Sequence, residues 1–213
     1  MVNIYLVVRG TRREMIGAMI RHAKLSPEQT VDRIVTLNDG LRHFWKSAQG
    51  WAPIEAARLL SKSRLDWQVS LSACLKLWVQ SSSSDIEPGR LILAWANLGA
   101  LVEGTMKLFL SVWYADYRRD IDTIRIRGLA DDPDLLTMEP MRQLFKKRIY
   151  DERWDEWIRH IQHRRNAIHA FRGRDIGDFG EFRLDVHKYL VFLRLINGQL
   201  PYPDEMHVPR ETA

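Results

Sequence analysis

Apolar positions along this chain recur every three to four residues, the spacing that gathers them on one face of a helix. The first run, SPEQTVDRIVTLNDGLRHFWKSA, opens on Ser26 as a cap with Pro27 at the first helical position. Asn38 to Gly40 is expected to interrupt or bend it. A second run begins after Trp51 and continues through IEAARLLSKSRLDWQVSLSACLKLWVQ, with a break near Ser61 to Ser63. The stretch SSSSDIEPG, residues 81–89, has no periodicity and reads as a loop. GRLILAWANLGALVEGTMKLFLSVWYADY is then apolar on nearly all sides, as a central or interface helix is. ADDPD makes a turn, and TMEPMRQLFKKRI is a shorter amphipathic helix. DERWDEWIRHIQHRRNAIHAF follows, with acids at its start that suit the helix dipole. RGRDIGDFG is a glycine-bearing loop, and EFRLDVHKYLVFLRLING is the last helix, stopped by Gly198 and Pro201. Strand-like alternation is confined to residues 3–8.

These elements predict an all-α fold. Residues 88–198 form a compact bundle of about four helices. Residues 1–87 add a helical extension packed on it, and 199–213 form an irregular tail.

Composition narrows the chemistry. The formal charge over 213 residues is +5, which permits a nucleic-acid partner without requiring one. The single cysteine, Cys74, excludes an internal disulfide and a multi-cysteine zinc site, and its apolar surroundings predict a structural thiol. The leading MVNIYLVVRG lacks the basic start and small-residue cleavage site of a signal peptide. No run reaches the roughly 20 apolar residues of a membrane span. A cytoplasmic protein without membrane partners is the expectation, and no cofactor or metal is implied.

The densest chemistry lies in HRRNAIHAF, residues 163–171. At roughly 100° per residue, Trp154, Trp157, Ile158, Ile161 and Ile168 fall on one stripe. Arg165 falls on that stripe too, His169 lies one turn beyond it, and Arg164 sits on the flank. A guanidinium at a core position needs a partner. One reading is an ion pair with Glu103 of the apolar helix; the other is a cleft open to a ligand phosphate.

RRNAIHAF resembles the signature of the HEPN superfamily, an arginine, a polar residue, a few variable positions and a histidine. Arg164, four intervening residues and His169 fit the spacing. Arg165 followed by Asn166 fits the local composition, one residue shorter. The resemblance covers the half of the chain from about residue 88. It implies a helical bundle, a homodimer whose two motifs meet, and in many members a metal-independent endoribonuclease of toxin–antitoxin or defence systems, with an antitoxin or regulatory partner. His169 would then be the acid–base group for attack by the RNA 2′-hydroxyl. Arg164 or Arg165 would hold the phosphate, and Asn166 would orient the histidine or donate to a phosphate oxygen. Arg172, Arg174, Lys146 and Lys147 could bind the RNA backbone, although a solvated helix face explains most such residues. Some members carry a modified tyrosine two places after the histidine; Phe171 stands there without a hydroxyl.

Two other readings compete. The bundle could bind RNA or act as a scaffold without catalysis. IEAARLLSKSRLDWQVS has the rhythm of a helix-turn-helix, with Arg64 and Gln68 as candidate DNA-reading residues, but its turn lacks a glycine. His160 and His163 lack the carboxylates or cysteines of a metal site on their face.

Overall fold

The computed structural model describes residues 25–80, 85–126, 129–171 and 173–211, and these residues are predominantly helical. The strand-like residues 3–8 lie outside the described residues. In chain order the helices are α1 (Pro27–Lys46), α2 (Ile54–Lys62), α3 (Leu65–Val79), α4 (Glu87–Val112), α5 (Tyr114–Arg119), α6 (Met138–Arg148), α7 (Glu152–Arg165) and α8 (Phe179–Asn197). A two-residue antiparallel pair, Arg125–Ile126 against Leu129–Ala130, closes a hairpin between α5 and α6.

Local chemistry explains most boundaries. Ser26 closes a capping box with Gln29 at the start of α1, and Pro27 occupies the first turn. The Asn38–Gly40 stretch does not break the helix, contrary to its sequence. Asn38 is buried, and a Cβ on Gly40 would lie 2.8 Å from Cβ of Pro209 in the tail. The glycine is therefore a seat for the tail, and tertiary packing offsets its poor helix propensity. Ser63 separates α2 from α3 with an extended backbone. Pro88 and Gly89 belong to the first turn of α4, where proline is tolerated, so the loop is shorter than its composition predicts.

α4 runs through the middle, packed against α3, α7 and α8 and, near its C-terminal half, α2. By length and composition it is apolar enough to cross a membrane, contrary to the expectation that no such run is present. Its apolar surface is instead buried in the helical core, with Trp95, Leu98, Leu101, Val102 and Met106 fully enclosed. One continuous hydrophobic cluster joins Val31, Leu37 and Leu60 to Phe145, Ile158, Phe182 and Leu193. Residues before and after 87 thus share a core.

A buried polar knot ties three helices within it. The Tyr189 hydroxyl on α8 meets Thr105 Oγ1 on α4 at 3.1 Å, and Gln68 Nε2 on α3 donates to Leu101 O at 2.8 Å and reaches the same hydroxyl at 3.4 Å. Asn38 of α1 is buried beside this group with its Nδ2 outside hydrogen-bond reach of any partner in the described chain, and burial pushes the Tyr189 phenol above its ordinary pKa. Removing the hydroxyl leaves enclosed polar partners unpaired. Tyr189→Phe is expected to lower the unfolding free energy by about 1–2 kcal/mol, measured by urea denaturation, with unchanged helix content in far-ultraviolet circular dichroism.

Candidate functional site

The motif sits at the end of α7. Asp151 caps the helix by accepting from the backbone N–H groups of Arg153 and Trp154. Trp154, Trp157, Ile158 and Ile161 are buried as the stripe predicts. The α-helix stops at Arg165, and Asn166–Ile168 forms one 3-10 turn before His169. That tighter winding takes the last two positions off the stripe. Ile168 is half exposed rather than in the core, and His169 is exposed.

The two arginines exchange the places their spacing assigns them. Arg164 is the buried one, with 8% of its side chain exposed. Its Nη2 donates to Glu181 Oε2 at 2.7 Å, and its Nη1 lies 2.8 Å from Asp175 Oδ1. The turn that brings these acids round relies on Gly177, at φ +61°, where a Cβ would collide with the Glu181 carboxylate. The Asp175 carboxyl is held below its usual range, first by the hydrogen bond from Arg164.

Arg165 keeps a third of its side chain exposed and is paired through Nη1 with Glu103 Oε2, the acid its sequence position nominates. Its methylenes lie against Gly99 of α4, where a Cβ would come within 2.6 Å of Cδ. Glu103 also receives Lys107 at 3.0 Å, so two cations share one carboxylate there. The motif therefore does not gather two guanidiniums and an imidazole around one open space. Arg164 is turned into the α7–α8 interface and Arg165 toward α4. The Asn166 amide and the His169 imidazole make no hydrogen bond among the described residues.

The basic residues nominated for RNA are largely engaged. Lys146 pairs with Glu152 and Asp155, and Lys147 with Asp122. Arg174 Nη1 approaches His163 Nδ1 at 3.3 Å. Arg172 lies outside the described residues. Of the helix-turn-helix candidates, Gln68 points its amide into the polar knot, while Arg64 bonds Asp66 and stacks 4.0 Å over Trp67. The Gln68 amide is thereby engaged inside the chain, while the Arg64 side chain stays half exposed. No group of three metal-ligating side chains occurs among the described residues.

A cluster outside the motif lies beside Arg164. Asp185 of α8 is buried, accepting from His160 Nε2 at 2.9 Å on one oxygen and from Trp157 Nε1 at 3.1 Å on the other. Lys188 Nζ lies 3.0 Å from that second oxygen. His160 Nε2 is also 3.6 Å from Glu181, which links the cluster to Arg164. The sequence signal was available: Asp185 falls at a core position of α8, and an acid there needs donors.

Comparison with known proteins returns no match to a family model, to a curated protein or to a solved structure.

Two stability outcomes follow from this geometry. Arg164→Met removes a buried guanidinium but leaves Asp175 and Glu181 with access to solvent, so it should cost about 1–2 kcal/mol, against less than about 1 kcal/mol for the more exposed Arg165→Met; chemical denaturation of the two variants tests the order. Burial pushes the Asp185 carboxyl up, but the hydrogen bond from His160 and the charge and hydrogen bond of Lys188 outweigh it and hold the folded pKa below its ordinary value. Its stabilisation is complete above the unfolded value, about 3.9, and is lost as pH falls through the lower folded value. The stability difference between wild type and Asp185→Asn should therefore shrink on acidification through that window.

Proposed function

We propose that the chain is a metal-independent endoribonuclease of the HEPN type, with His169 as its acid–base group and Arg165, rather than Arg164, on the scissile phosphate. The supporting observation is the placement of His169. Its imidazole is exposed just beyond the end of α7, unpartnered within the described chain. A histidine so placed is free to take a proton from a 2′-hydroxyl or give one to a leaving oxygen. Arg165 is the motif arginine with solvent access, and its carboxylate already shares Lys107, so its charge is only partly offset. A phosphate can compete for such a guanidinium more readily than for Arg164, which two acids enclose. The remaining basic groups near the motif without a carboxylate partner among the described residues are Arg159 and Arg174. A second copy of the chain would bring a second imidazole and so separate the acid and base roles.

A second reading, a HEPN-like scaffold or RNA-binding bundle without catalysis, draws on a specific observation too. Both motif arginines and both motif-side lysines already have carboxylate partners inside the chain. Such pairs serve the fold without any ligand.

Purified protein incubated with a mixed RNA pool separates the two. Under the enzymatic reading, wild type cleaves in the presence of a chelator, His169→Ala loses at least about a hundredfold in rate, and its melting temperature stays unchanged. Arg165→Ala loses activity while Arg164→Lys, if folded, keeps most of it. Intact RNA under every condition with wild type leaves the scaffold reading.

A further inference from the structure

A groove of about 470 Å³ runs between α7 and α8, on the side of these helices where His160 and Asp185 meet. That volume falls within the range of small-molecule sites, about 300–1,000 Å³. Its walls are apolar: Trp154 and Trp157 from α7, Leu184 and Val191 from α8. Leu184 is two-thirds exposed, although it lies on a helix that otherwise packs well.

The polar groups of the groove are biased toward acceptors. Glu156, Glu181 and Asp185 supply three carboxylates, and Arg153 and Lys188 supply two cations. The charges differ in availability. Arg153 is drawn off to Asp151, outside the groove. Glu156 is exposed and has no ion pair among the described residues. Asp185 is held by His160 and Trp157, which also line the groove, and it receives the ammonium of Lys188, whose side chain is half exposed. Lys188 thus shows what the buried carboxylate accepts: a primary ammonium at hydrogen-bond distance.

We propose that this groove binds a small organic ammonium with an apolar body, the body lying along Trp154, Trp157, Leu184 and Val191 and the ammonium replacing that of Lys188 on Asp185, with Glu156 alongside. Burial of the body supplies the main driving force, and the desolvated carboxylate supplies selectivity for charge. Aromatic walls add attraction for a cation. The site is independent of the RNA reading. His160 and His169 are separated by about 15 Å along the helix axis, too far to act on one phosphodiester within a chain.

The test uses the full chain and three probes of one shape: 2-phenylethylammonium, 2-phenylethanol and phenylacetate, titrated by calorimetry and tryptophan fluorescence. The ammonium should bind saturably, at least about tenfold more tightly than the alcohol, with no binding of the carboxylate. Leu184→Lys and Glu156→Lys, both at exposed positions, should each weaken the ammonium at least about tenfold with the melting temperature retained. Lys188→Met removes the internal competitor and should tighten it. Absence of saturable ammonium binding, equal affinity for the alcohol, preference for the carboxylate, unchanged affinity in either lysine variant, or weaker binding in Lys188→Met would each overturn the proposal. None of these outcomes bears on RNA cleavage, which His169→Ala reports separately.

Discussion

The pairing of α7 with α8 depends on keeping buried charges matched. Asp185 and Arg164 lie on opposite helices, each largely removed from water, and each would be costly alone. Asp185 is satisfied by Trp157, His160 and Lys188; the charge of Arg164 is matched by Glu181 and Asp175. His160 stands between the two sets, within reach of both Asp185 and Glu181. These contacts fix the rotation of α7 about its own axis. That rotation decides which motif side chain is enclosed and which meets solvent.

The helical layout was largely legible from the sequence because it rests on local signals. Ser26 with Pro27, the Ser61–Ser63 break and Gly198 each act through the backbone within a few residues. What was not legible depended on distant partners. Gly40 reads as a helix interruption until Pro209 is placed on it. The hundred-degree wheel put Arg165 inside and Arg164 on the flank, because it cannot know where the acids of the 175–181 turn will stand. It also carried Ile168 into the core by extending an α-helix that in fact tightens after Arg165. The Glu103 pairing could be anticipated, since an acid inside an apolar helix demands a cation. The His160–Asp185 contact could have been, by the same reasoning applied to the last helix.

Charge counting gives a different picture before and after folding. The sequence around the motif is rich in arginine and lysine, which suggests a strongly positive surface. In the folded chain most of those cations are spoken for: Arg142 by Glu139 and Asp155, Arg148 by Asp120 and Asp122, Lys147 by Asp122. The acids sit far away in sequence or one helical turn back, so a linear tally of local charge overstates the field. Function at this end of the molecule depends on individual exposed groups rather than on a broad basic face.

The tail closes the opposite end. Asn197 donates to Pro209 O, Tyr202 links Asn197 to Trp45, and Glu211 bridges Arg33 and Arg194. Phe44 and Trp45 pack against the Tyr202 ring, and Trp51 packs in turn on Phe44 and Trp45. During synthesis, α1 emerges long before residues 202–211 do, so its aromatic face has no lid until the last stretch of the described chain has left the ribosome. Contacts of such sequence separation are slow to form. The environment of Trp45 on α1 is therefore completed only by a partner 157 residues further along the chain.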